Sequence, residues 1–162
     1  MLKNLLVDFS LRGYSFEYIA KILIRRNNNN NFIFQTCQFD SIREILTKYK
    51  LKPSEKTKSI VEYLEIEWNR CDLLEFILDD ARNIENIIFY EVKTKINTAK
   101  RKYFELCQSN KSFLDFIATK GYTAYLVSII LYERWRFSLN CIPYEKAEIV
   151  SYTNYKKSPQ HL

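Results

Sequence analysis

Two short apolar segments rich in β-branched and aromatic residues stand close together in the middle of the chain. Residues 71–78 and residues 87–95 both have this composition, which is typical of buried strands. The polar residues 79–86 between them contain Asp-Asp, Arg-Asn and Glu-Asn pairs, which favour a turn. The pattern therefore predicts a hairpin.

Side chains alternate across a strand, so the second segment has two different faces. Glu91 and Lys93 share one face, while Tyr90 and Val92 lie on the other. Buried charges occur mainly when they are paired or bound to metal. Asp72, at the start of the first strand, is expected to lie across from Glu91. One Asp, one Glu and one Lys should then converge at one edge of a sheet.

The remaining periodicities predict further helices and strands on either side of the hairpin. Residues 122–133 form the most continuous apolar run, which favours a central parallel strand buried on both faces. Gly13 and Ser15 are expected to separate the first two helices, with Ser15 as an N-cap. The asparagine-rich residues 27–31 are predicted to form a plain surface loop. Helices are predicted at residues 2–11, 15–26, 41–50, 97–109 and 111–120, and strands at 61–68 and 136–144, with 32–39 a short strand or an irregular segment.

These elements predict an α/β fold with a mixed β-sheet of four to six strands, flanked by helices on both faces. At 162 residues the chain fits one domain, placed at residues 1–150. Within it, residues 1–59 hold the N-terminal helices and a basic connector, and residues 60–145 hold the core. Residues 151–162 are predicted to be a basic flexible tail.

Composition narrows the expected partners. The chain has 25 Lys and Arg against 19 Asp and Glu, a net charge of +6, which favours a polyanionic partner. Four cysteines without a Cys-x-x-Cys pair, and a single histidine, argue against a structural zinc site. No signal peptide or membrane-spanning run is visible, so an intracellular, cytoplasmic protein with reduced thiols and no membrane partner is expected.

Asp72 on one strand, Glu91-Val92-Lys93 on the next, and then a predicted helix and strand resemble the PD-(D/E)XK nuclease superfamily. The likeness covers roughly residues 60–145, and Cys71 stands where the family has a proline. It implies a restriction-endonuclease-like or Holliday-junction-resolvase-like core. It also implies Mg²⁺- or Mn²⁺-dependent hydrolysis of phosphodiester bonds, with DNA as the expected substrate. Small members of the family often act as dimers, so a homodimer is an expectation too.

The resemblance also implies roles for individual residues. Asp72 and Glu91 would bind the metal together with the backbone carbonyl of Val92, and Lys93 would orient or help deprotonate the attacking water. Many members have a glutamate on the first helix that reaches the metal site, and here that residue would be Glu17. The alternative for Glu17 is an acid that complements the dipole of its helix.

Basic residues follow the Glu-x-Lys strand without an intervening acid. From Lys93 to Lys102 there are five Lys or Arg residues. The alternative is a solvated helix face, but their position next to the proposed site favours binding to phosphates of a nucleic acid. The nucleic-acid-binding residues predicted in this way are Lys95, Lys100, Arg101 and Lys102.

Two other functions remain open at the level of sequence. The first is a non-catalytic nucleic-acid-binding protein, either on the same fold or with a helix-turn-helix at residues 11–26. The second is a protein-interaction subunit that uses its aromatic surface. Glu65, Glu67 and Glu75 are interpreted mainly as solvated strand residues, with a metal-supporting role for Glu67 or Glu75 as the alternative.

Overall fold

A computed structural model describes residues 9–96, 104–131 and 137–152. The four helices of these ranges are α1 (Phe9–Asn28), α2 (Ile42–Tyr49), α3 (Lys58–Ile66) and α4 (Gln108–Thr119). The strands are β1 (Ile33–Gln35), β2 (Lys52–Pro53), β3 (Leu73–Leu78), β4 (Asn83–Ile96), β5 (Phe104–Cys107), β6 (Ala124–Leu131), β7 (Phe137–Pro143) and β8 (Ile149–Tyr152). Two single 3₁₀ turns occupy Thr36–Gln38 and Tyr144–Lys146.

A mixed six-stranded sheet forms the centre of the fold. Five strands follow the order β1-β3-β4-β6-β7, and β2 pairs with the beginning of β4. The β4–β6 and β2–β4 pairs are parallel and the others are antiparallel. β5 and β8 form a separate parallel pair. The predicted α/β class and mixed sheet are confirmed.

Helices cover both faces of this sheet, as the apolar pattern predicted. On one face, Phe16 and Ala20 of α1 pack in a buried cluster with Leu73 and Tyr90. On the other face, α2, α3 and α4 pack in a larger cluster with residues that alternate with these, such as Phe89. Both faces of the hairpin are therefore covered around Leu73–Phe76 and Phe89–Val92, and a charged side chain buried there needs a specific partner.

The hairpin lies where the sequence predicted it. β3 and β4 are antiparallel, and Leu73 pairs with Tyr90. In the turn, the backbone amide of Asn83 donates to Asp79 Oδ1 at 2.7 Å, and Arg82 adopts a left-handed conformation with φ 65°. β6 is parallel to β4 and follows it through the α4 crossover, so the predicted central strand is confirmed as well.

The predicted strand at residues 61–68 is wrong, because this segment belongs to helix α3. Its buried residues are Ile60, Val61 and Leu64, which recur at helical spacing. Ile66, which the strand would have buried, is 81% exposed. The alternation of apolar and acidic residues over this short window fitted both periods, and packing against the sheet selected the helical one.

The predicted break between two N-terminal helices is also wrong within the described residues. α1 is one helix that passes through Gly13 and Ser15. A glycine inside a helix costs only about 1 kcal/mol relative to alanine. The buried stripe of Phe16, Ala20 and Ile24 favours continuation, because it packs α1 along the sheet. The helix-turn-helix alternative at residues 11–26 therefore does not form.

Two further predictions change near the end of the chain. Phe104–Cys107 is a strand that alternates buried Phe104 and Leu106 with exposed Glu105, so the predicted helix at 97–109 is wrong there. Residues 97–103 of that prediction lie outside the described residues. The predicted tail from residue 151 includes the end of β8, which pairs with β5. None of the helices in the described ranges is long and apolar enough to cross a membrane.

Candidate active site

The candidate site lies at the beginning of β3, beside β4. The last backbone contact is the amide of Asp72, which donates to the carbonyl of Tyr90 at 3.0 Å. One step further along β4, the amide of Val92 donates to Asp72 Oδ2 at 2.6 Å. A side-chain carboxylate thus takes the place of the next backbone acceptor. This contact satisfies the amide of Val92 and holds the carboxyl of Asp72 against β4.

Glu91 lies next to this contact and is almost completely buried, with 1% of its surface exposed. Its Oε1 atom accepts from Lys93 Nζ at 2.7 Å and from Asn110 Nδ2 at 3.0 Å. Its Oε2 atom is buried and has no hydrogen-bond partner among the described residues. A buried carboxylate oxygen without a donor is costly, which makes it an indicator of a missing ligand.

The register places Asp72 across from Glu91, on the same face of the hairpin, because Leu73 pairs with Tyr90. Asp72 is half-buried as a residue, but its carboxyl group is enclosed by protein. This burial, and then the charges of Glu91 and Glu17, raise the pKa of Asp72 well above its usual range. The amide of Val92 and the charge of Lys93 act in the opposite direction with smaller effect.

Glu17 reaches this group from α1. The thiol of Cys37 donates to Glu17 Oε2 at 3.4 Å, and burial together with Glu17 raises the pKa of Cys37 to about 12. The carboxylates of Glu17 and Glu91 therefore both act on the carboxyl of Asp72, and among the described residues these three acids and the ammonium of Lys93 form one charged group. When all are ionised this group has an excess of negative charge, which a cation would neutralise.

Asp72 and Glu91 offer carboxylate oxygens of the type that Mg²⁺ binds. In the described part of the chain, no three His, Cys, Asp or Glu side chains are grouped closely enough to form a metal site by themselves. Mg²⁺ does not need such a cage, since it is usually held by one or two carboxylates together with water and substrate phosphates. The unpartnered Oε2 of Glu91 and the crowded carboxyl of Asp72 suit that mode of binding.

The polar character of this face extends to the neighbouring strand. Ser128 of β6 lies in register with Lys93, and it is 3% exposed. It is the residue that interrupts the apolar run of β6. Partners in a parallel ladder share a face, so Ser128 and Lys93 lie side by side. Glu91, Lys93 and Ser128 form a polar strip in an otherwise apolar layer.

The side chains of the predicted basic residues lie outside the part of the chain that the structure describes. Lys100, Arg101 and Lys102 lie outside the described residues. The backbone of Lys95 belongs to β4, where it pairs with Ile130, but its side chain lies outside the described part. Their role in nucleic-acid binding stays a prediction.

The three additional glutamates lie away from the site. Glu65 forms an exposed ion pair with Arg43, and Glu67 pairs with Arg70. The prediction that Glu75 is solvated is wrong, because only 1% of its surface is exposed. Glu75 lies two residues after Leu73 on β3, so both side chains lie on the face that α1 covers. This face is opposite to that of Glu91.

A network of uncharged donors satisfies Glu75 there. Its Oε1 atom accepts from Asn28 at 3.2 Å and from Asn30 at 3.0 Å. Its Oε2 atom accepts from Asn28 at 3.1 Å and from the hydroxyl of Tyr90. Burial, and then Glu75, raise the pKa of Tyr90. Residues 27–31 lie mostly at the surface, as predicted, but they are not a plain loop, since the first two end α1 and two of the asparagines bind a buried acid.

Asn110 is the residue of the site that sequence reasoning missed. It lies in the first turn of α4, where asparagine is common for reasons of local capping. Nothing in its neighbourhood in the sequence indicates Glu91 as its partner. Only the crossover from β4 through α4 to β6 brings the two side chains together.

No protein-family model matches the chain, and comparison with curated proteins and with solved structures finds no match either. The function has to be inferred from the side chains of the site.

Proposed function

We propose that the protein is a metal-dependent nuclease of the PD-(D/E)XK type, which hydrolyses phosphodiester bonds in nucleic acid, with DNA as the expected substrate. Asp72 directly before β3, Glu91 and Lys93 on β4, and then α4 and the parallel strand β6 follow the order that the resemblance implies, with β5 as an additional strand before α4. The net charge of +6 supports a polyanionic substrate.

One observation carries the proposal. Glu91 is 1% exposed and paired with Lys93 through Oε1, while its Oε2 atom has no partner among the described residues. Buried polar atoms in folded proteins nearly always have a partner, and exceptions need an explanation. A bound Mg²⁺ or Mn²⁺ explains it, because a hard dication prefers carboxylate oxygen and water.

In this proposal each residue of the site has its own role. Asp72 and Glu91 would hold the metal, and the carbonyl of Val92 is expected to add a ligand by resemblance. When bound, the metal supplies positive charge near the scissile phosphate and lowers the pKa of water. Lys93 Nζ lies 2.7 Å from Glu91 Oε1, and in this proposal its ammonium would orient the attacking water and offset charge that develops on the phosphate. Glu17 adds negative charge near Asp72 from the α1 side.

A nucleic-acid-binding protein without catalytic activity is the second candidate. The observation in its favour is the 2.7 Å pair between Lys93 and Glu91, which is compatible with a structural role. A structural pair of this kind is stable when both carboxylate oxygens are satisfied. Among the described residues, donors reach only the Oε1 atom of Glu91 and none reaches Oε2, which is why the nuclease ranks first.

The test is a cleavage assay on DNA and RNA in single-stranded, duplex and junction form, in Mg²⁺, in Mn²⁺ and in chelator. The informative variant is Lys93→Met, and the matched control is Lys111→Met. Lys111 has almost the same exposure as Lys93, 32% against 31%, and the same 2.7 Å distance to its carboxylate, Asp115.

The nuclease proposal predicts cleavage that requires the metal. Lys93→Met should reduce it by about 10²-fold or more, since it removes a charge from the reacting centre. Lys111→Met should change it little, because exposed ion pairs contribute little. Metal-indifferent binding without cleavage of any of these substrates would favour the second candidate instead. Equal activity of the two variants would remove Lys93 from the reaction.

A further inference from the structure

The carboxylate of Glu91 is bound unevenly. Both of its donors, Lys93 Nζ at 2.7 Å and Asn110 Nδ2 at 3.0 Å, contact the same oxygen, Oε1. A carboxylate has about four acceptor positions, two on each oxygen. Those of Oε1 are therefore taken, and those of the buried Oε2 are left for a ligand.

The two donors differ in how firmly they hold the carboxylate. Lys93 is 31% exposed and ends in a point charge on a flexible stem, so it can follow Glu91 through a rotation. Asn110 has a short side chain on α4, and that helix is anchored in the core by Phe113, Leu114 and Ile117. The amide of Asn110 is therefore the donor that defines which oxygen of Glu91 is occupied.

Divalent metals differ in how they use a carboxylate. Ca²⁺ takes six to eight oxygens in a flexible arrangement and often binds both oxygens of one carboxylate. Mg²⁺ requires a near-octahedral shell at shorter distances and keeps several waters, so one oxygen per carboxylate is suitable. A glutamate with one oxygen already occupied favours the second kind of ion.

We infer that Asn110 is a positioning residue that makes Glu91 a one-oxygen ligand through Oε2, so that the site prefers Mg²⁺ and Mn²⁺ to Ca²⁺. This inference rests on the proposed metal-dependent nuclease. It assigns the metal preference to a side chain that does not itself bind the ion.

The test measures binding of each metal alone, without nucleic acid, by titration calorimetry and by the rise in Tm. Asn110→Leu has a similar volume and no donor. Asn110→Ala is the milder variant if the leucine is not accommodated. Gln108→Ala is the matched control, because Gln108 lies in the same turn of α4 and is exposed, with Ser112 as its hydrogen-bond partner.

Removing the amide should weaken Mg²⁺ binding by about 10-fold or more, as is usual for groups that orient a metal ligand. Ca²⁺ binding should be unchanged or stronger, since Oε1 becomes available to it, so the Mg²⁺-to-Ca²⁺ preference falls at least by the same factor. Gln108→Ala should keep the wild-type preference. Circular dichroism and the Tm without metal show whether each variant is folded.

The possible failures are distinguishable. If the wild type binds the metals and the Asn110 variants keep its Mg²⁺-to-Ca²⁺ ratio, whether both affinities fall together or neither changes, the role of Asn110 is wrong and the nuclease proposal stands. If the wild type binds none of Mg²⁺, Mn²⁺ and Ca²⁺ alone, the role of Asn110 is wrong, and the nuclease proposal is wrong with it if metal-dependent cleavage is absent as well.

Discussion

Two glutamates of the central hairpin are equally buried but differ in how they are satisfied. Glu75 and Glu91 are each 1% exposed and lie on opposite faces of the sheet. Both oxygens of Glu75 accept hydrogen bonds, from Asn28, Asn30 and Tyr90. Glu91 has two donors on one oxygen and none on the other among the described residues.

Burial and charge do not distinguish the two acids, whereas the way in which their oxygens are satisfied does. The donors of Glu75 are neutral, and they connect α1 and the loop after it to β3, which is a role in folding. The neighbours of Glu91 include a second carboxylate, Asp72, whose pKa is raised first by burial and then by the charge of Glu91. That arrangement is unfavourable for the fold alone and is typical of a site that is completed by a ligand.

The largest effect on cleavage should come from replacing the carboxylate of each acid by the amide of glutamine. Glu91→Gln should reduce metal-dependent cleavage by about 10³-fold or more, because a neutral amide is a poor ligand for a hard dication. Glu75→Gln should leave the rate of the folded protein within about threefold, since it does not face the site. The measurement is kcat/KM for both variants at a temperature where both are folded.

Binding in chelator gives the same comparison without catalysis. Glu91→Gln should bind nucleic acid as tightly as the wild type or more tightly, because it removes a charge that repels phosphate. Comparable cleavage by the Glu91 and Glu75 variants would show that the two acids are not functionally different.

The order should reverse when stability is measured. Glu75→Ala removes the acceptor of three donors, of which the hydroxyl of Tyr90 is the buried one, and should cost about 2 kcal/mol, or roughly 4 to 8 °C in Tm. Glu91→Ala should cost less, because it relieves the repulsion on Asp72 while it leaves Lys93 and Asn110 unpaired. Urea unfolding in chelator checks this order. A greater loss for Glu91→Ala would make Glu91 the structural acid.

Metal should stabilise the protein through one of the two acids only. At a concentration about 100 times the Kd, Mg²⁺ should stabilise the wild type by about 2.7 kcal/mol. Glu91→Gln should abolish this gain and Glu75→Gln should retain it. Tm in Mg²⁺ and in chelator, measured for the three proteins, decides the point. Equal gains in all three would place the metal elsewhere.

The smallest expected effect concerns pH. Because the pKa of Asp72 is raised in the folded state, its ionisation destabilises the fold as pH rises above about 4. Asp72→Asn keeps an acceptor for the amide of Val92 and should stabilise the metal-free protein by about 1 kcal/mol near neutral pH, or roughly 2 to 4 °C in Tm. The gain should disappear in acid.

Asp79→Asn is the matched control with the opposite sign. Hydrogen bonds from Asn83 lower the pKa of Asp79, so its charge stabilises the fold above its usual pKa, and this contribution is lost as pH falls. Asp79→Asn should therefore destabilise the protein near neutral pH and have little effect in acid. A pH series of Tm for both variants that shows the same sign for the two would contradict these assignments.

The sequence by itself determined the hairpin, the central strand β6 and the α/β class. Each depends on a period or a turn composition that is complete within a few residues. The shared face of Glu91 and Lys93 belongs here too, because side chains alternate along any strand. The metal-dependent activity and the roles of Glu17 and the basic run stay predictions.

Only the tertiary structure decided which acids are satisfied. Glu75 is 47 residues from Asn28, and Asn110 is 19 residues from Glu91 across the crossover. It likewise decided that residues 61–66 belong to a helix, since the short pattern fitted two periods until packing against the sheet chose one. Local periodicity determines which face a side chain takes. The donors that reach it there come from other elements, and their positions depend on how the whole sheet is covered.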